Sequence, residues 1–117
     1  MKLSEIQKEL AGTILTDETT LDHDATTVFA SDLMSDVLAY GRKTSVLVTG
    51  LCNVQIIRTA EMMDCCCIIL ARNKVANEQM ISTANDLGIC LISSELFVYD
   101  VCNKLGRLGL IGGGEYA

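Results

Sequence analysis

Cys66-Cys67-Ile68-Ile69-Leu70-Ala71 is an unbroken apolar run in the middle of a 117-residue chain. Six such residues, inside a charge-free stretch from Cys65 to Ala71, read as a strand buried on both faces, the pattern of an interior strand in a parallel sheet. Working outward, Ser45-Val46-Leu47-Val48-Thr49 is a second β-rich run, broken by Gly50. Between the two, Asn53 is placed to cap a helix in which Ile56, Ile57, Ala60 and Met63 recur at helical spacing. On the other side, a polar link over residues 72–76 leads to a helix over residues 77–87. It turns Met80, Ile81, Ala84 and Leu87 inward and stops at Gly88. Ile89-Cys90-Leu91-Ile92 follows as another strand, and Ser93 or Ser94 is expected to cap the last helix. There Phe97, Val98, Val101, Cys102 and Leu105 pack inward, while Asp100, Asn103, Lys104 and Arg107 face water.

Upstream, Thr26-Thr27-Val28-Phe29-Ala30 reads as a strand, and Ser31-Asp32 as the cap of a helix that buries Leu33, Met34, Val37 and Leu38 and ends at Gly41. The chain opens with Ser4-Glu5-Ile6-Gln7, the S-x-x-Q form of a capping box, before a helix through Ala11 with Leu3, Ile6 and Leu10 on one stripe. Gly12 ends it, Thr13-Ile14-Leu15-Thr16 is a short strand, and residues 17–24 are a polar turn. From Thr26 onward strands and helices alternate in units of roughly 20 residues, which predicts right-handed crossovers and a parallel sheet. The fold class is therefore α/β: a three-layer sandwich, mainly parallel, with helices on both faces. Residues 1–105 form a single domain, and residues 106–117, with Gly112-Gly113-Gly114, a loose tail.

Composition narrows the function. Half of the residues are hydrophobic, 4% are aromatic, and proline and tryptophan are absent. A formal net charge of −6 argues against a nucleic-acid-binding surface, which needs clustered Lys and Arg. The opening Met1-Lys2-Leu3-Ser4-Glu5 is not followed by the apolar core of a signal peptide, and the longest charge-free apolar run is far short of the roughly 20 residues of a membrane span. The expectation is a cytoplasmic protein without membrane partners. In that compartment the six cysteines stay reduced, and their spacing lacks the paired pattern of a zinc site. They are expected as small core-filling hydrophobes, so no metal and no cofactor is assigned.

In open parallel sheets, ligands lie beyond the carboxyl ends of the strands. Those ends supply the candidate ligand-binding residues Ser31, Asp32, Thr49, Gly50, Asn53, Ser93 and Ser94, with Arg72 and Asn73 beside them. The helix N-termini that follow offer free N–H groups suited to an anion. The same residue types also cap helices with no ligand at all. His23, between Asp22 and Asp24, lies in a polar turn without a nucleophile signature and is read as solvated. Asp32 and Asp36, four apart, are read as a cap and a solvated acid. The glycine run lacks the strand–loop–helix context of a phosphate loop, and no catalytic motif occurs. No catalytic residue is assigned, and the chain is expected not to be an enzyme.

With this layout, the chain resembles the DRTGG domain, a module similar to the N-terminal domain of HPr kinase/phosphorylase. Three stretches carry the resemblance: the opening helix and strand, Lys2 to Ile6 through Thr13-Ile14-Leu15; Ser31-Asp32-Leu33-Met34-Ser35-Asp36-Val37-Leu38-Ala39, which looks like the family's S-D-L-x-S-D-V-(L/M)-A segment; and Gly88-Ile89-Cys90-Leu91-Ile92. After the third strand the family often has a D-R-T-like turn, where this chain reads Thr49-Gly50-Leu51-Cys52-Asn53-Val54. The resemblance implies a regulatory or accessory module, of a kind found beside CBS domains in inorganic pyrophosphatases and ahead of phosphotransacetylase domains. It does not imply kinase activity. The leading expectation is a non-catalytic module that forms a homodimer, a reading to which a mean hydropathy of +0.35 contributes. The alternative is a sensor of a nucleotide or other phosphorylated metabolite that acts on a regulated enzyme. The third is a thiol-based redox or metal sensor.

Overall fold

The apolar run that decides the fold is an interior strand. In the computed structural model, which describes residues 1–41 and 44–115, Cys67–Leu70 (β4) pairs in parallel with Val46–Thr49 (β3) on one side and Cys90–Ser93 (β5) on the other. All twelve residues are buried. Thr27–Ala30 (β2) continues the parallel sheet beyond β3. Thr13–Ile14 (β1) closes one edge antiparallel to β5, and Ile111–Gly112 (β6) closes the other parallel to β2, giving the order β1-β5-β4-β3-β2-β6.

Among the described residues five α-helices cover the two faces: Leu3–Glu9 (α1), Met34–Tyr40 (α2), Val54–Met62 (α3), Glu78–Leu87 (α4) and Val98–Arg107 (α5). Alternate strand residues point to opposite faces. Leu47, Ile68, Leu70 and Leu91 meet Val37, Ile56, Ile57, Met80 and Ala84 of α2, α3 and α4. Val46, Val48, Cys67, Ile69, Cys90 and Ile92 meet Leu3, Ile6, Val101 and Leu105 of α1 and α5 on the other. The expected three-layer, mainly parallel α/β sandwich is thus what the chain forms. Cys67 and Cys90 fill core positions. No helix among the described residues is long and apolar enough to cross a membrane.

Two helix caps follow the local sequence. Asn53 Oδ1 accepts from Ile56 N and Asn77 Oδ1 from Met80 N, and Gly88 closes α4 with a left-handed φ of 71°. Other local readings are corrected. The Ser4–Gln7 capping box does not form, because α1 starts at Leu3 with Lys2 as its cap and Gln7 Nε2 donates to Gly12 O instead. Leu33 and Leu38 are exposed, since only Met34 and Val37 of α2 meet the sheet. Phe97 is exposed as well, because α5 begins only at Val98. The first strand ends at Ile14. Thr16 replaces a backbone ladder bond with its hydroxyl, which accepts from Leu91 N.

The segment expected as a tail is drawn into the sheet. Residues 106 and 107 complete α5, Leu110 is buried, and β6 lies along β2 with Gly113 N donating to Val28 O. Glu115 N then donates to Tyr40 O. Tyr116 and Ala117, the last residues of the expected tail, lie outside the described residues.

Candidate strand-end ligand site

The carboxyl ends of β2, β3, β4 and β5 share one edge of the sheet. At β2 and β3 the candidate residues converge. Asp32 Oδ1 accepts from Thr49 Oγ1 at 2.9 Å and from Gly50 N at 2.7 Å. Thr49 Oγ1 also accepts from Leu51 N, so one carboxylate and one hydroxyl together hold the β3 turn. A Cβ on residue 50 would lie 3.3 Å from Asp32 Oδ2, which explains the glycine where the carboxylate approaches. Ser31 Oγ accepts from Leu33 N and organises the turn into α2. The expected capping pair Ser31-Asp32 therefore divides: Ser31 acts locally, and Asp32 ties two strand ends together rather than capping α2. Asp32→Ala is expected to cost about 1–2 kcal/mol, the range of a charge-assisted hydrogen bond at a site water reaches. Urea denaturation checks this, and an unchanged midpoint would mean the tie carries no stability.

The remaining candidates are arranged differently. Asn53 is exposed, and its side-chain oxygen serves α3. Ser93 and Ser94 are buried: Ser93 Oγ donates to Lys74 O, and Ser94 Oγ accepts from Leu96 N. Three strand spacings of about 4.8 Å put the β2 and β5 ends roughly 14 Å apart. Residues from both ends therefore do not close around one phosphate. They flank a row.

The centre of that row is the β4 end, which supplies two cationic residues. Arg72 and Asn73 take consecutive left-handed conformations, with φ of 61° and 57°. Such a conformation costs about 1–2 kcal/mol per non-glycine residue, and here it is held by Arg72 N donating to Leu96 O and Asn73 N to Ser94 O. Buried Ser93 and Ser94 thus shape the loop that carries Arg72 and Lys74. Burial pushes the Cys52 thiol up, and the Lys74 charge opposes it, which places Lys74 within electrostatic reach of the β3–α3 turn. Lys74 is the residue sequence reasoning left out. The signal was present as a second cation in the polar link after the central strand.

A separate apolar cleft of about 480 Å³ opens at the β2–β6 edge, lined by Val28, Phe29, Ala30 and Tyr40 together with Gly112, Gly114 and Glu115. It depends on β6 and was not visible in the sequence. Among the described residues, no group of three or more His, Cys, Asp or Glu side chains is placed to hold a metal ion.

Fold and site together define a three-layer α/β domain whose polar and basic residues gather at the strand ends. Among solved structures, the chain is similar to the CBS and DRTGG domains of the regulatory region of Clostridium perfringens pyrophosphatase, determined in complex with its activator, diadenosine tetraphosphate. The TM-score is 0.74 with 10% sequence identity, over 89% of this chain and 45% of that one. This likeness shows a shared fold, and the chain spans less than half of that regulatory region. No family model and no curated protein matches the sequence.

Proposed function

We propose that the chain is a non-catalytic regulatory module of the DRTGG type that acts as a homodimer in the cytoplasm. The observation that carries this reading is the fold likeness to a regulatory region over 89% of the chain, joined to the Ser31 to Ala39 segment. The dimer is supported by apolar side chains left at the surface, among them Val75 at 85%, Phe97 at 63% and Ile111 at 67% exposure. Six free cysteines fit a reducing compartment.

A second reading deepens the first: the module answers to an elongated phosphorylated ligand lying along the strand ends. Ser31, Asp32, Thr49, Gly50 and Asn53 stand toward one end of the row, Arg72 and Lys74 at its centre, and Ser93 and Ser94 beneath the loop at the other. The cations favour phosphate, and the length of the row favours a ligand longer than one phosphate. Asp32 already takes the Gly50 amide, so the phosphate contacts fall to Arg72 and Lys74.

Sedimentation equilibrium and thermal-shift measurements test both. A particle of twice the 12.7 kDa chain mass is expected at micromolar concentration, and a monomer alone would sink the homodimer. Mononucleotides, diadenosine polyphosphates and sugar phosphates form the ligand panel. A ligand at a hundred times its Kd stabilises the native state by about 2.7 kcal/mol. The shift is expected to vanish in an Arg72→Ala/Lys74→Ala double variant. A flat response across the panel would leave only the interaction role.

A further inference from the structure

Three cysteines converge on the α1–α5 side of the sheet. Cys67 and Cys90 occupy directly paired positions on β4 and β5, fully buried, and half-buried Cys66 packs against the same cluster. Paired residues on neighbouring parallel strands point to the same face, with Cα atoms about 4.8 Å apart. That spacing falls within the roughly 4.4–6.8 Å span of disulfides. The two thiols lie close enough to shift each other's proton affinity, Cys67 upward and Cys90 downward. Thr20 and Thr16 lie beside Cys90, with their hydroxyls bonded to each other at 2.8 Å and Thr20 Oγ1 donating to Asp17 O.

We propose that Cys67 and Cys90 are a reversible oxidation site, closed by a hydroperoxide into a disulfide that links the two strands. The inference does not rest on the regulatory reading, since it concerns the core and not the strand-end row. The cover over Cys90 is the stretch holding Thr16 and the 3-10 helix Glu18–Leu21, which follows a two-residue edge strand. Its attachments are Leu15 N to Leu91 O, Leu91 N to Thr16 Oγ1 and Asp17 N to Asn85 Oδ1. Short edge elements open locally well below the cost of global unfolding, and hydrogen peroxide is small enough to follow. Cys67, with neighbours on both sides of its strand, has no comparable route to solvent.

The chemistry balances with one peroxide. The Cys90 thiolate attacks a peroxide oxygen and the O–O bond breaks. The departing hydroxide takes up the proton that Cys90 released and leaves as water, with sulfenic acid on Cys90. The Cys67 sulfur then attacks the sulfenic sulfur and the S–OH bond breaks. The hydroxide leaves with the Cys67 proton as a second water while the S–S bond forms. Two thiols lose two electrons, and the peroxide is reduced to two waters. The neighbouring Cys67 thiol, with Thr20 and Thr16 alongside, holds the Cys90 thiol down to about 7 against the opposing effect of burial, while Cys67 is pushed up. The nucleophile and the resolving thiol are thereby distinguished. Parallel Cβ vectors leave the Cβ atoms farther apart than the mean of about 3.8 Å in relaxed disulfides, so the bond is strained and readily reduced.

The test is peptide mapping of the native chain after hydrogen peroxide treatment, without reductant. The expected result is loss of two hydrogens, one cross-linked peptide pair joining Cys67 to Cys90, and full recovery with dithiothreitol. The rate should rise about tenfold from pH 6 to pH 8 as the Cys90 thiolate fills. Cys66→Ser should still form the link, whereas Cys67→Ala should stop at oxygen addition. A link between any other pair, oxygen addition without a link in the unmodified chain, or a link formed only after denaturation would each overturn the proposal. The mapping of the unmodified chain decides even if Cys67→Ala does not fold.

Discussion

Ile68→Ala is expected to lower the unfolding free energy by about 3–4 kcal/mol, within the usual range for emptying a fully enclosed isoleucine site. Ile68 is completely buried in β4, paired with Leu47 on one neighbour and Leu91 on the other. Its side chain faces the cluster that includes Ile56, Ile57, Met80 and Ala84. Strands hydrogen-bonded on both sides cannot move in to fill the void, so the cavity persists and the cost lies well above the transfer term alone. A domain of this size has about 5–15 kcal/mol in total, so the variant loses a large share of its stability. The urea midpoint should fall with the slope unchanged. Ile111→Ala is the control: that side chain is largely exposed on edge strand β6, and its loss should stay near 0.5 kcal/mol. A change below about 1 kcal/mol at Ile68 would contradict a two-sided parallel sheet with this strand inside it.

The parallel core was legible because each interior strand is a continuous apolar run, and the hydrophobic effect acts on such runs in any context. Asn53 was legible as a cap because a cap needs only a side chain three residues before its amide, whereas Asn77, read as the first residue of its helix, is the cap of α4. What escaped depended on partners far along the chain. Asp32 reads locally as a cap for α2, yet it turns to Thr49 and Gly50 at the end of the neighbouring strand. Ser93 and Ser94 read as caps for α5, yet that helix begins four residues beyond Ser94, and the two serines brace the Arg72–Lys74 loop instead. Lys74 is held in place by that same bracing, which no local pattern encodes. Ile111 favours strand, but the three glycines that follow it do not. Gly112 is drawn into strand by pairing with the edge of β2.

The edge strand supports the second large effect, because two glycines of the segment expected as a tail should respond with opposite signs. Gly113 is buried, and a Cβ placed on it would lie 2.7 Å from Thr44 Oγ1, 3.1 Å from Thr44 Cα and 3.2 Å from Thr27 Cβ. Two of those atoms belong to backbone or to a side chain anchored beside the sheet, so they cannot swing aside. Gly113→Val is therefore expected to cost about 2–3 kcal/mol as overpacking, either by displacing residue 44 or by peeling β6 from β2. Peeling would also remove the bond from Gly113 N to Val28 O and open the apolar cleft at Phe29 and Tyr40. Gly106 has nothing within 4 Å of its virtual Cβ and sits inside α5. Gly106→Ala should therefore stabilise by up to about 1 kcal/mol, the helix-propensity difference. If residues 106–115 were a loose tail, both substitutions would leave the melting temperature where it was. A paired measurement by thermal denaturation thus separates the two pictures: about 2–3 kcal/mol lost at Gly113 corresponds to a fall of roughly 10 °C for a domain of this size.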